Sequence, residues 1–328
     1  MDLVTGGTGF LGAHVVRALL RRGRSVRCLV RAASRRTNLE GLDIEVVTGD
    51  VTDPASLSRA MAGVEAVYHC AADYRLYAVD PRELYASNVA GTENVLCAAS
   101  RAGVRRVVHT SSVGALGLAP GGSSADETTP VEAASMIGHY KRSKYDSERI
   151  AESWAARGLP VVIVNPSTPV GEYDIKPTPT GQMIVDFLNR RMPAYVETGL
   201  NLVDARDVAE GHILAAERGR IGEKYILGNR NMTLKEILDA LSRLTGLASP
   251  RLRLPHWVPL TAAAADTLAA RLTGRVPRVP LEGVRMARHK MFFDSAKAVR
   301  ELDFPQTPVE EALARAVAWF REMGYARN

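Results

Sequence analysis

A chain of 328 residues, 46% of them hydrophobic, is long enough to bury a large core and to form one large domain or two. Its 42 Lys and Arg are interspersed with 36 Asp and Glu, a formal excess of +6 without basic blocks, which argues against nucleic acid and for an anionic small molecule or a negatively charged surface nearby. Three cysteines without CxxC spacing and seven histidines without metal-ligand spacing predict a reducing, cytoplasmic setting and no metal site. The first strand begins at residue 1, so no signal peptide is expected, and no apolar run approaches the ~20 residues that cross a bilayer.

Taken in chain order, residues 1–4 read as a short buried strand, TGGTGFLG follows, and residues 13–22 form an amphipathic helix stopped by Gly23. Strand, glycine turn and helix together predict a phosphate site. Gly6, Gly9 and Gly12 lack the Cβ that would block the turn, the approach of a pyrophosphate and the helix packing. The helix N-terminus adds free N–H groups and the positive end of its dipole. Thr8, Phe10 and Leu11 complete this candidate cofactor loop. A second strand, 25–30, ends at Arg31, where an acidic residue would hold the ribose hydroxyls of NAD. An arginine there suits a 2′-phosphate, so NADP(H) is the preferred cofactor and NAD(H) the alternative, with Arg35 and Arg36 adding charge.

A third strand, 44–47, leads to Asp50 and Val51, candidate adenine contacts, while Asp53 reads as the N-cap of a helix opened by Pro54. The fourth strand, 66–69, runs into Ala71 and Ala72, small enough to lie against a dinucleotide. One amphipathic helix is expected from 82 to 101, with Asn88 inside it, and a fifth strand, 104–109, ends in Thr110-Ser111-Ser112. In GHYKRSKYDSERIAESWAARG, Tyr140 and Lys144 stand four apart on one helix face. An ammonium beside a phenol favours the phenolate, which makes the tyrosine a usable acid or base, and Ser112 can orient the substrate oxygen. Lys144 can also hold ribose hydroxyls.

A sixth strand, 160–164, leads to Asn165, Pro166 and Ser167, after which the strand–helix rhythm breaks. DIKPTPTG, residues 174–181, reads as an irregular loop and a substrate wall. Tyr74, Ser112, Asn165, Lys176 and Thr178 are the candidate substrate contacts; Ala71, Ala72, Tyr140, Lys144, Pro166 and Ser167 join the cofactor set. Further on come a short helix within 202–216, a strand at 224–227 and a Thr233–Glu236 capping box. Residues 255–290 mix apolar and basic residues, and read either as a substrate-lobe helix with a solvated rim or as a segment resting on anionic lipid. A last helix is expected at 310–323.

These motifs resemble, along nearly the whole chain, the extended short-chain dehydrogenase/reductase family of the NAD-dependent epimerase/dehydratase type. TGGTGFLG is similar to its TGxxGxxG, residues 49–53 to its adenine-side Asp motif, Ser112, Tyr140 and Lys144 to its catalytic set, and MFFDSAKAVREL to its C-terminal signature. HCAADYRLYAVDP, GHYKRSK, NPSTPVG, DIKPTPTG and AYVETGLNLV look most like hopanoid-associated sugar epimerases, close to dihydroflavonol reductases. The resemblance implies an α/β fold, a doubly wound Rossmann sheet of seven parallel strands over residues 1–165. It also implies a smaller C-terminal substrate lobe over 166–328 with a segment near 200–216 returning to the first domain. A homodimer built on residues 82–101 and 140–157 is implied as well. Two departures stand out: Arg31 replaces the acidic residue of sugar-nucleotide epimerases, and TSSVGALG lacks the tyrosine usual before its last glycine. Both favour an NADPH-linked reductase of hopanoid metabolism over an epimerase or dehydratase using the same site. A regulator without turnover is disfavoured because all three catalytic residues are present. The expected location is the cytoplasm, with possible attachment to the inner membrane face.

Overall fold

The structure, a computed structural model, describes residues 1–75, 77, 80–273, 277 and 281–326. Seven parallel strands make the central sheet: β1 (Asp2–Thr5), β2 (Val26–Val30), β3 (Glu45–Thr48), β4 (Ala66–His69), β5 (Arg106–Thr110), β6 (Val161–Pro166) and, after the three short lobe strands named below, β10 (Lys224–Leu227). Their spatial order is β10-β6-β5-β4-β1-β2-β3. The order reverses between β1 and β4, and in an open parallel sheet ligands bind outside the carboxyl ends at that crevice. Leu3, Val67, Val107, Val161 and Ile163 are fully buried, as expected of strands covered on both faces.

One face is covered by α1 (Phe10–Arg21) and α7 (Ala205–Arg218), the other by α2 (Pro54–Ala60), α4 (Gly91–Ala102) and α5 (Gly138–Ala156). The expected single helix over 82–101 is instead α3 (Pro81–Tyr85), a π-helical turn over Ala86–Ala90, and α4. The turn carries Asn88. Asp53 caps α2 as expected, accepting from the N–H groups of Ala55 and Ser56.

The lobe holds β7 (Thr168–Val170), β8 (Ala194–Val196), β9 (Gly199–Asp204), β11 (Arg230–Thr233), β12 (Leu252–Leu254) and β13 (Lys290–Met291). Its helices are α6 (Pro179–Leu188), α8 (Leu234–Thr245), α9 (Trp257–Thr273), α10 (Leu281–Met286) and α12 (Val309–Glu322). Its core joins Ile184, Leu202, Ile237, Leu241, Leu313 and Phe320 from α6, β9, α8 and α12. The Thr233–Glu236 capping box is present at α8. DIKPTPTG is a loop only to Thr178, because Pro179 takes the first position of α6, where a missing N–H costs nothing. The chain returns to the sheet more often than 200–216 alone: β10 and α11 (Ala296–Leu302) also pack there, with Ala298, Leu302 and Phe304 in the sheet's core. Of the segment 255–290, residues 274–276 and 278–280 lie outside the described residues, as do 76, 78 and 79 of HCAADYRLYAVDP.

Candidate active site

The glycine loop leaves no room for side chains. A Cβ on Gly12 would lie 2.2 Å from the Gly6 carbonyl oxygen, and one on Gly6, whose φ is +75°, would lie 2.7 Å from the Ala71 nitrogen. Gly7, not singled out from sequence, is also crowded, its Cβ position being 2.9 Å from Cys28 Sγ, whereas Gly9 is tight only against the Gly6 carbonyl oxygen at 3.3 Å. The cap residue of α1 is Gly9, with no side-chain cap and no acidic residue in the first turn, so the helix presents bare N–H groups at this cradle. Such a cradle fits a dinucleotide's pyrophosphate. Thr8 is held from behind: Asn38 Nδ2 donates to its carbonyl (3.2 Å) and to that of Tyr173 (3.0 Å), linking the glycine loop to the segment that leads into 174–178. Phe10 and Leu11 open α1 and are half-buried. Arg31 stands exposed at the end of β2, and no acidic residue occupies that strand end.

Asp50 folds back on its own loop, with Oδ1 accepting from Thr52 N–H and hydroxyl at 2.9 Å each. Val51 is buried, and Ala71 and Ala72 are half-buried beyond β4, where Ala71 N–H donates to Thr5 Oγ1 at 3.3 Å. Thr5 Oγ1 also bonds His69 Nδ1 (2.7 Å), and His69 Nε2 bonds Thr92 Oγ1 (3.1 Å), tying β1, β4 and α4 together. Burial holds His69 down to about 3, so this histidine is a neutral strut at physiological pH.

At the carboxyl end of β5 the structure brings Ser112, Tyr140 and Lys144 together. Ser112 Oγ accepts from Gly114 N–H (3.0 Å) and reaches the Tyr140 hydroxyl, whose phenolate it favours. Lys144 is buried and donates to the Thr110 carbonyl at 2.6 Å. Desolvation lowers its amine to about 8, against the raising influence of Glu148. The phenol does not behave as sequence predicts: desolvation pushes Tyr140 up, the Ser112 hydrogen bond pulls against this, and Asp73 adds to the rise. Burial outweighs the Ser112 hydrogen bond, so Tyr140 is a neutral acid over the physiological range.

Behind this trio lies a network missed in the sequence. Glu148, fully buried, accepts from Ser111 Oγ (2.5 Å) and Asn165 Nδ2 (2.7 Å), while Asn165 Nδ2 also donates to the Ser112 carbonyl (3.1 Å). Tyr140, Lys144 and Glu148 recur every four residues on one face of α5, so the same spacing that marks the pair would have found the third. On the other side, Asn88 Nδ2 donates to Ser143 Oγ (3.0 Å) and the Asp73 carbonyl (2.8 Å), and its Oδ1 accepts from Asp73 N–H (2.6 Å). The π turn aims Asn88 inward to make these bonds.

The candidate substrate contacts divide. Tyr74, partly exposed, donates from its hydroxyl to the Lys176 carbonyl at 3.0 Å, so the two segments expected to flank a substrate meet over the cleft. Lys176 itself is exposed. Asn165 is fully buried, with its Nδ2 donating to the Ser112 carbonyl and to Glu148 while its Oδ1 has no partner. The Thr178 hydroxyl is likewise committed: it donates to Asp174 Oδ2 (2.8 Å) and caps α6 by accepting from Gly181 N–H (3.1 Å). Pro166 is buried and Ser167 half-buried just past β6. Among the described residues, no group of three His, Cys, Asp or Glu side chains could hold a metal ion.

The model of the NAD dependent epimerase/dehydratase family matches residues 3–228. A putative dihydroflavonol 4-reductase of Synechocystis is 50% identical, covering 99% of this chain and 96% of its own. Sterol demethylase protein B of Methylococcus capsulatus is 42% identical over 98% of both. The crystal structure of gox2253 superposes with a TM-score of 0.89 at 48% identity, covering 100% of this chain and 99% of the other.

Proposed function

The chain belongs to the NAD dependent epimerase/dehydratase family, and from that premise we propose that it is an NADPH-preferring reductase acting on a carbonyl of a lipophilic ring substrate, of the hopanoid or sterol class. The observation that carries this reading is the Ser112–Tyr140–Lys144 cluster at the carboxyl end of the sheet, beside a glycine cradle closed to any Cβ. Arg31, where an acid would select NAD, supports the 2′-phosphate. A sterol-related relative at 42% identity supports an apolar substrate.

The residues fit the roles. When bound, the nicotinamide exchanges hydride with the carbonyl or carbinol carbon. Ser112 Oγ accepts from Gly114 N–H, and its own proton, which meets the Tyr140 oxygen in the free site, would turn to the substrate oxygen. Tyr140, kept neutral by burial, gives its phenolic proton to the same oxygen. Lys144, fixed on Thr110, retains two ammonium protons for ribose hydroxyls. Glu148 and Asn165 hold the ends of β5 and β6 so that Ser112 stays in register with α5.

The test is turnover of cholestan-3-one and dihydroquercetin against UDP-glucose and dTDP-glucose, with NADPH and NADH compared. Net NADPH oxidation on a lipophilic ketone supports the reductase. Conversion of a sugar nucleotide with no net cofactor consumption would replace it with the epimerase chemistry that the same side chains allow.

A further inference from the structure

The excess charge of the chain is not spread over it. Residues 251–290 carry eight Lys and Arg against two Asp and Glu, an excess of +6 that equals the formal excess of the whole protein. The rest of the sequence is neutral. Those forty residues include α9, which exposes what a helix in a lobe would be expected to bury: Trp257 is 65% exposed, Leu268 61% and Leu272 80%. At about 100° per residue these three side chains fall within an arc of about 60°, forming one stripe along the helix. Leu252 on the adjoining β12 is 60% exposed. Arg285 and Arg288 share a cavity wall with Leu260 and Ala264 of α9 and, like Arg251 at the start of this segment, are exposed and in no ion pair among the described residues. Arg253 is paired with Glu197 at 2.7 Å.

An apolar stripe rimmed by unpaired arginines matches an anionic bilayer surface: aromatic and leucine side chains enter the acyl boundary while guanidinium groups meet phosphate. No described helix is long and apolar enough to cross a membrane, so the contact is with the surface. Next to the stripe, Leu260 and Ala264 of the same helix line a cavity of about 710 Å³ with Met136, Ile137 and Leu281, and Arg285 and Arg288 stand on its wall. Met136 and Ile137 immediately precede the helix that bears Tyr140. We propose that α9 docks the protein on an anionic lipid surface, with this cavity opening beside the docked face.

Flotation with vesicles of phosphatidylcholine alone, and of phosphatidylcholine mixed with phosphatidylglycerol, tests this without reference to turnover. Wild type should float with the mixed vesicles only, detach as salt is raised, and show a blue-shifted tryptophan emission that Trp257→Phe abolishes. Leu268→Glu/Leu272→Glu should reduce vesicle binding at least tenfold while NADPH binding and thermal midpoint stay unchanged. Leu252→Glu, on a separate strand, should weaken it severalfold and serves if the double variant misfolds. Wild type that stays in solution with the mixed vesicles, or variants that float as well as wild type, would overturn the proposal. So would sedimentation velocity showing a dimer that the same substitutions split, since the face would then belong to a second copy.

Discussion

The carboxyl edge of the sheet and the α9–α10 region of the lobe, which meets the start of α5, are built on opposite terms. At the sheet edge the polar side chains behind Tyr140 are tied into a network: Ser111 and Asn165 to Glu148, Lys144 to Thr110, Asn88 to Ser143 and Asp73. In α9–α10, Trp257, Leu268 and Leu272 face outward, and Arg285 and Arg288 are exposed and form no ion pair among the described residues. Chemistry demands side chains fixed to within fractions of an ångström, and a buried network supplies that because each unsatisfied member would cost ~1–3 kcal/mol. Recognition of a fluid or variable partner makes no such demand. The difference assigns reaction to one region and recognition to the other.

That division can be broken most sharply at the phenol. Tyr140→Phe should lower turnover by about 10²–10⁴-fold, the usual worth of a positioned general acid, with NADPH affinity within a factor of a few. Steady-state rates and a fluorescence titration on the same sample check it, and unchanged turnover would remove Tyr140 from the chemistry. Glu148→Ala leaves Ser111, Asn165, Arg149 and Lys224 without their shared acceptor. It should cost ~3 kcal/mol in chemical denaturation, whereas an exposed-stripe substitution such as Leu268→Glu should cost well under ~1 kcal/mol. Equal costs would mean the two regions are not differently built. Arg31→Asp should shift the NADPH:NADH preference by about tenfold or more toward NADH, as expected for a lost charge-assisted contact, read from the two kcat/KM values.

The smallest expected effect is with pH. The Lys144 amine, lowered by burial to about 8 from its ordinary 10.5, is protonated below that pH and neutral above it. The charged form favours ribose hydroxyls, so NADPH affinity should be constant below pH 8 and fall about threefold above it. In Lys144→Met the decline should be absent; a decline that persists would assign it to another group.

What was readable in the sequence follows the same division. The glycine turn and the Tyr140–Lys144 pair are local, each written within five to seven consecutive residues, so spacing alone exposes them. Ser112 was legible because a strand end places it. For Asn165 and Thr178 the sequence shows the polarity but not the partners: Glu148 and Ser112 lie 17 and 53 positions from Asn165, and the cap formed by Thr178 depends on Pro179 starting a helix inside a proline-rich run. The π turn at Asn88 has no composition of its own and is set by what the side chain reaches. The direction of the Tyr140 shift is hidden for a related reason, since an ammonium four residues away is visible in sequence and desolvation is not.

The most direct measurement of the central claim follows one hydrogen. With NADPH deuterated at the transferable C4 position and cholestan-3-one as substrate, the reductase account predicts one deuterium on the new carbinol carbon and one oxidised cofactor per product, by mass spectrometry and absorbance. Product lacking deuterium, or cofactor that remains reduced throughout turnover, would contradict it.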